Sequence, residues 1–319
     1  MDKLGWLPIG FVGLIIVMTL TNQLSTILLR KKLAKAWEGK PFFIKKDSEE
    51  SLAETMLLAS ALQPTDSQVD GQTWHDLDLY RVFDQLNYTQ SSIGAEALYQ
   101  KMRLIKFQPE ASLQELEDFF DHHPDLRLKV QVVMNQLGKK NHNMARSIVA
   151  NPGKQDSKIY LSLYIFLACL PVFSLFFLPF FKIQAMMVLV ASATFNIIFS
   201  SIRNWSNKMR LDRVSYLVRI FASTEKLSHL AIPKQEALKQ AVQPFKKTKV
   251  ISGILQSPTG SSDMEIILIY LNFLFLIPQI AQVYIYQQVR IHQKEAQEAI
   301  NLLGELEVAI SLLRHKRDV

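Results

Sequence analysis

Four long stretches of the chain carry almost no charge, and this constrains its fold more than any other feature. Residues Gly5 to Leu24, GWLPIGFVGLIIVMTLTNQL, contain none. Residues Ile159 to Phe181 contain none either, and Ile183 to Ile202 follow after the single charge of Lys182. The fourth stretch, Ile266 to Val289, is rich in Ile, Leu, Phe and Tyr and is interrupted by Asn272, Pro278 and a few glutamines. A helix needs roughly 20 apolar residues to cross a bilayer core. The pattern therefore predicts a multi-pass membrane protein with three spans and a fourth, weaker one. The second and third stretches form a tight hairpin around Pro179 to Lys182. Arg30, Lys31, Lys32 and Lys35 follow the first stretch as a stop-transfer signal, and no small-residue cleavage site is present, so an uncleaved anchor is expected.

The excess of Lys and Arg after the first stretch places residues 30–158 in the cytosol, and Arg203, Lys208, Arg210 and Arg213 return the chain there after the hairpin. The fourth stretch conflicts with this. If it crossed fully, Arg314, Lys316 and Arg317 would lie outside. A re-entrant or interfacial segment resolves the conflict, and Pro278 at its middle favours incomplete crossing.

The sequence divides accordingly into an anchor (1–29), a cytosolic helical region (30–158), a hairpin (159–203), a basic region (204–263), a fourth membrane segment (264–289) and a tail (290–319). The net charge of +7 is localised. Residues 30–158 hold 18 basic and 18 acidic side chains, whereas 204–263 hold 10 and 4. The basic excess suits anionic lipid headgroups better than nucleic acid, because Trp205, Tyr216 and Phe245 fall at core spacing and form no stacking platform. Cys169, the one cysteine, excludes a disulfide framework and a multi-cysteine zinc site.

The soluble regions read as all-α. Ser51 to Leu62 form a short helix capped by Asp47 or Ser48. Leu77, Leu79, Val82, Phe83 and Leu86 predict a helix buried on one side. Thr89 or Ser91 caps the next helix, whose apolar face is Ala95, Leu98, Met102 and Ile105. In 204–250, Trp205, Met209, Val214, Leu217, Val218 and Phe221 share a face. In the tail, Ala296, Ala299, Leu303, Leu306, Ile310 and Leu313 recur every three or four residues. That stripe predicts packing along another helix, with Glu295, Glu298, Glu305 and Glu307 on the other faces.

No complete chemical site is encoded. Gly39-Lys40 and Gly153-Lys154 lack the remainder of a phosphate loop. His122 and His123 are adjacent and diverge on a helix, so they make a poor metal pair. His75, Asp76 and Asp78 read as the solvated start of a helix. Asn196 and Asn272 are isolated amides in apolar stretches, the type that joins neighbouring helices or lines a path. Catalytic, cofactor-binding and metal residues are all expected to be none.

One stretch carries a family resemblance. Asp76-Leu77-Asp78, Val82-Phe83, Thr89, Ser91-Ser92, Gly94, Leu98-Tyr99 and Met102-Arg103 resemble the helical core (lever) region of MutS-type mismatch-repair ATPases, and more closely a bacterial membrane-bound branch of MutS-related proteins. Gly304-Glu305-Leu306-Glu307 to Ser311 looks like the helix that precedes the ATPase domain in that branch. The resemblance implies a helical bundle like the MutS core on membrane helices in the bacterial inner membrane. It assigns Asp76, Asp78, Thr89, Ser91, Ser92, Gly94, Leu98, Tyr99 and Arg103 structural roles, and gives Leu303, Leu306, Ile310 and Leu313 to packing of the tail helix. The family's ATP-binding domain would follow residue 319. The expectation is therefore a lever without its motor, from a truncated gene or one half of a split protein. It would pair through 293–319 with an ATPase-bearing chain or with itself, with ATP bound only by a separate ATPase domain. Binding of nucleic acid is implied by the resemblance alone. A transporter subunit for a small molecule or lipid is the alternative, as is a non-functional remnant.

Overall fold

The computed structural model describes residues 6–39, 45–62, 67–107, 110–152, 158–248 and 270–318, although not the side chains of 6–20, 22, 57, 59–62, 204–212 and 318. The chain is all-α. Its helices are α1 (Trp6–Trp37), α2 (Glu49–Leu62), α3 (Gly71–Asp76), α4 (Leu79–Leu86), α5 (Ser92–Arg103), α6 (Ala111–His122), α7 (Pro124–Leu137), α8 (Ala145–Ala150), α9 (Lys158–Ser228), α10 (Gln235–Val242), α11 (Ile277–Ile291) and α12 (Gln293–Asp318). Two strands of two residues each, β1 (Ser67–Gln68) and β2 (Leu104–Ile105), pair antiparallel. β1 falls within Pro64 to Gln72, a Pro-, Asp- and Gly-containing stretch whose composition predicts a loop.

The tail helix lies at the centre of the body. Its predicted stripe, Ala296, Ala299, Leu303, Leu306, Ile310 and Leu313, is buried throughout. α12 packs most extensively on α5, and also on α6, α8, α9 and α10. A single apolar core joins Leu303 and Leu306 to Phe120, Val130, Leu217 and Phe221. Leu303, Leu306, Ile310 and Leu313 are therefore spent inside this chain, and their stripe is not free to pair with another chain. The expected contact along 293–319 involved this same stripe, which the body of the chain covers.

The region around the first motif differs in detail from the expected helix. Asp70, not a later residue, caps α3 by accepting from Thr73 N at 2.7 Å. The chain then breaks at Asp78, whose φ is 47°. Two short helices replace one long one, and the buried face shifts. Trp74 and Phe83 are buried, while Leu77 is 64% exposed. At α2, Ser48 provides the cap, its Oγ accepting from Ser51 N. Val214, Leu217, Val218 and Phe221 are buried together as their spacing implies; Trp205 and Met209 lie outside the described side chains.

α9 contains the one helix among the described residues that is long and apolar enough to cross a membrane, Ile159–Arg203. At 1.5 Å per residue a straight run of that length would extend roughly 65–70 Å. It does not run straight, because Asn196 Nδ2 lies 2.8 Å from Leu167 O and the Tyr164 and Phe199 rings are 6.1 Å apart. The chain folds back on itself between these points. The first apolar stretch falls largely on residues whose side chains are not described, and the start of the fourth and residues 253–263 lie outside the described residues.

The described part of the fourth stretch is broken. It is helical over 270–274, turns at Phe275 and Leu276, with Leu276 at φ 49°, and restarts as α11 at Ile277. Pro278 has no N–H to give Leu274 O, four residues before it. Pro171 likewise deprives Leu167 O. Asn196 Nδ2 donates to both of these carbonyls, at 2.8 and 2.9 Å. One amide group thus replaces the two donors that two prolines remove, and the Asn196 side chain is fully buried while doing so. Ser200 and Gln279 add a second buried link between α9 and α11.

Asn196→Leu should strand both carbonyls, at about 1–3 kcal/mol each. In a background carrying Pro171→Ala and Pro278→Ala the same change should cost much less, since the backbone donors return. Unfolding of the four proteins in detergent checks this. An undiminished cost in the double-alanine background would show that Asn196 serves another purpose.

Candidate functional site

The polar centre of the body is built on the N-terminus of α5. The segment before it, Asn87 to Ser91, is non-helical, so its N–H groups are not used within a helix. Ser91 caps α5 by accepting from Gly94 N at 3.2 Å. Thr89 does not share that role, because its Oγ1 donates to Asn87 Oδ1 and accepts from Lys139 Nζ.

Glu307, from the middle of α12, enters this helix start. Its Oε1 accepts from Gln90 N at 2.7 Å and from Ser91 N at 3.2 Å, and its Oε2 accepts from the Ser91 hydroxyl. One turn later Ser311 Oγ accepts from Tyr88 N at 2.8 Å and donates to Leu86 O at 2.6 Å. The unpaired N–H groups and positive dipole end of a helix favour a carboxylate at this position. Burial nevertheless dominates the acidity of Glu307. It raises the carboxyl to about 6, against the Ser91, Lys139 and Gln90 interactions that lower it.

Two glycines let the helices approach this closely. A Cβ on Gly94 would meet the Glu307 carboxylate and stand 2.7 Å from Glu307 Cβ, and one on Gly304 would stand 2.6 Å from Ala97 Cβ. Both are closer than side-chain contacts allow.

Further buried charges surround the latch. Ser92 Oγ donates to Asp47 Oδ1 at 2.5 Å and accepts from Lys140 N at 2.7 Å. Lys139 lies 3.1 Å from Asp47. Glu96 accepts from Asn143 at 2.6 Å and from Arg146 at 3.2 Å, and Arg146 reaches Asn301 of α12 at 3.1 Å. Burial raises the Glu96 carboxyl and lowers the Arg146 guanidinium, and each opposes the shift of the other. α7 ends at Gly138, φ 72°, whose carbonyl accepts from Tyr216 OH, while Arg219 donates to Gln136 O and Leu137 O. Part of the basic excess in 204–263 is therefore spent inside the body.

The structure gathers some of the predicted residues and leaves others apart. Ser91, Ser92, Gly94 and, through Lys139, Thr89 belong to this centre. Leu98 and Tyr99 are buried behind it, with Tyr99 against Trp74 and Phe83 at 4.9 and 5.6 Å between ring centres. Arg103 closes that cluster by donating to Tyr99 OH and Val69 O. Asp76 and Asp78 are exposed and join nothing in it. His122 and His123 turn back to carbonyls of α6, at Asp118 and Phe119. Among the described residues no group of three His, Cys, Asp or Glu side chains could hold a metal.

Sequence reasoning placed Glu307 on an outer face and missed Asp47, Glu96, Lys139, Asn143 and Arg146. The available signal was Gly304 with Glu307, a small residue and an acid three apart inside a run of leucines. A cleft near 450 Å3 beside α5 and α12 is lined by Gln100, Lys101, Glu110, Arg146, Asn301 and Glu305 among others. Its charges are already paired, Lys101 with Glu110 and Lys234 with Glu305. The arrangement as a whole spends its donors and acceptors within the chain, so it acts as a latch between helices. No family model, no curated protein and no solved structure matches this chain.

Gly94→Ala should destabilise the fold by about 1–3 kcal/mol through overpacking, and Gly94→Leu by more. Combined with Glu307→Ala, the Gly94→Ala cost should largely vanish; strictly additive costs in equilibrium unfolding would contradict the contact. The Glu307 carboxyl also predicts a pH dependence. Its folded value, about 6, lies above the ordinary 4.5. The protonated form is therefore favoured by folding, and this contribution is full below pH 4.5 and is lost as pH rises through 6. Relative to Glu307→Gln, the wild type should lose on the order of 2 kcal/mol between pH 4.5 and 7, measured by unfolding across that range.

Proposed function

We propose that this chain is the helical core of a membrane-bound MutS-related protein, a lever that acts through an ATPase borne on another polypeptide. The observation that carries the reading is the docking of Glu307 on Ser91 and Gly94. The two stretches that resemble the family lie more than 200 residues apart, and each supplies one half of this latch. A core domain whose last helix leads toward a motor needs such a fixed joint. No phosphate-loop motif is spelled out in these 319 residues, and the proposal gives the nucleotide chemistry to the partner. The apolar stripe of α12 being buried, a partner would meet the end of this helix, near Lys316, whose side chain is 65% exposed.

The membrane part of the proposal rests on an inverted pattern in α9. Phe166, Phe173, Phe176, Phe180, Ile183 and Met187 are exposed, while Ser174, Asn196 and Ser200 are buried. Lipid is the solvent that suits such a surface. We propose that the two limbs of 159–203 cross the bacterial inner membrane as a hairpin, with α1 as a further anchor and the body in the cytosol. α12 shares its core with α5, α6 and α8, so the tail lies on the same side as residues 45–150. The broken segment at Leu276 then enters without crossing, which removes the conflict in the charge rule. The Asn196 amide nitrogen is tied to two backbone carbonyls and Gln279 to the Ser200 hydroxyl, which favours a scaffold over a transporter.

Two measurements test this. The chain should stay with membranes through alkaline carbonate extraction, and release into the supernatant would refute the membrane reading. A photo-crosslinking residue at position 316 should capture a chain with a complete phosphate-loop ATPase sequence in membranes. Capture of lipid alone, or of nothing, would refute the lever reading.

A further inference from the structure

The cleft where α5, α6, α8 and α12 meet has a volume near 450 Å3, within the roughly 300–1,000 Å3 of small-molecule sites. It is open to solvent, and the Lys106 side chain at its rim is 49% exposed. Hydrogen bonds within the chain fix which end of each polar side chain is left over. Arg146 lines the cleft although it is only 6% exposed. Its Nε donates to Glu96 and its Nη1 to Asn301, at 3.2 and 3.1 Å. Nη2 has no partner among the described residues, and it stands against α12, 3.8 Å from where a Cβ on Gly304 would be. Asn301 Oδ1 accepts from both Arg146 and Gln297, so its amide nitrogen is the end that remains open. Gln100 is held the other way round. Its Nε2 donates to Thr55 Oγ1 at 3.2 Å, which leaves its oxygen open.

The pairing of charge around the cleft is uneven. Lys101 and Lys106 both pair with the one carboxylate of Glu110. Burial raises that carboxyl, but the two lysines outweigh it and hold it below its ordinary value. Arg146 has Glu96 and Lys234 has Glu305. Among the described residues four cations therefore meet three carboxylates, an excess of one. α5 ends and α6 begins beside the cleft, so the two helix dipoles largely cancel there. The start of α6 has no side-chain cap, and its first N–H groups, that of Ser112 among them, have no partner within the helix. The rest of the wall, with Leu104 and Val308, is apolar.

We infer that this cleft binds a small organic monocarboxylate that carries an apolar body and a hydrogen-bond donor. The carboxylate answers the open donors, Arg146 Nη2 and Asn301 Nδ2, and offsets the single surplus lysine charge. Leu104 and Val308 cover the apolar body, and the Gln100 oxygen accepts from the ligand's donor. A bare inorganic anion would leave that oxygen and the apolar wall unmatched and most of the volume to water. A dianion would also exceed the surplus charge. Neither the membrane nor an ATPase partner is needed for such a site.

The test uses the full chain purified in detergent, with binding read by isothermal titration at matched ionic strength. The probe is N-acetyl-leucine, which carries a carboxylate, an amide N–H and an apolar side chain. N-acetyl-leucinamide is its neutral control. The acid should bind with a Kd of about 1 mM, and the amide about tenfold more weakly or worse. Lys106→Gln, on the exposed rim, should weaken the acid about three- to tenfold, leave the amide unchanged and melt like the wild type without ligand. Arg146→Lys keeps a cation for Glu96 and removes Nη2, so it should abolish binding of the acid; if that variant does not fold, Lys106→Gln decides alone. No binding of the acid up to about 20 mM, well above the expected Kd, would overturn the site. So would equal affinity for acid and amide, or undiminished binding of the acid by Lys106→Gln. Inorganic phosphate binding more tightly than the acid would also overturn it, by showing a bare ion to be the better fit.

Discussion

The body of this protein depends on a carboxylate placed against the start of a helix. Glu307 bonds with the backbone of Gln90 and Ser91, and the positive end of α5 is the complement that makes its burial tolerable. Removing a carboxylate from water is expensive, and the cost is visible in its raised pKa. Once the contact exists, much else follows. α12 must cross α5 closely, so the crossing uses Gly94 and Gly304. Ser91 must face both ways, accepting from Gly94 N and donating to Glu307. The leucines of α12 are then held in register against α6, α9 and α10.

A second constraint governs the apolar half. Prolines in α9 and at the start of α11 each leave a carbonyl without its helical donor, in surroundings with little else to supply one. Asn196 answers both. Its presence in an otherwise apolar stretch follows from the neighbouring prolines. A substrate path is not needed to account for it. The two constraints are of one kind: backbone polar groups that local structure leaves unpaired are answered by a side chain distant in sequence.

Periodicity made much of the helical content legible. The stripe Ala296 to Leu313, the face Val214 to Phe221 and the cap at Ser91 are all set by local sequence, because a 3.6-residue period and a hydroxyl before a helix act within one or two turns. The break at Asp78 was not legible. Leu77 to Leu86 satisfies a helical pattern, yet Trp74 and Phe83 take the buried places around Tyr99 and leave Leu77 in solvent. The site was half legible. Ser91, Ser92 and Gly94 stood out as a motif, but Asp47, Glu96, Lys139 and Arg146 are ordinary charged residues until the fold brings them together, and Glu307 read as a surface acid.

By itself the sequence determined that the chain is helical, that residues 159–203 form a surface unsuited to water, and that no nucleotide or metal chemistry is spelled out in a local motif. These depend on composition and short-range spacing. Only the tertiary structure decided what the tail does. An amphipathic stripe states that a helix must be covered and says nothing of what covers it. Here the cover is the chain's own body, because Glu307 finds the end of α5 and Gly304 lets the two helices meet.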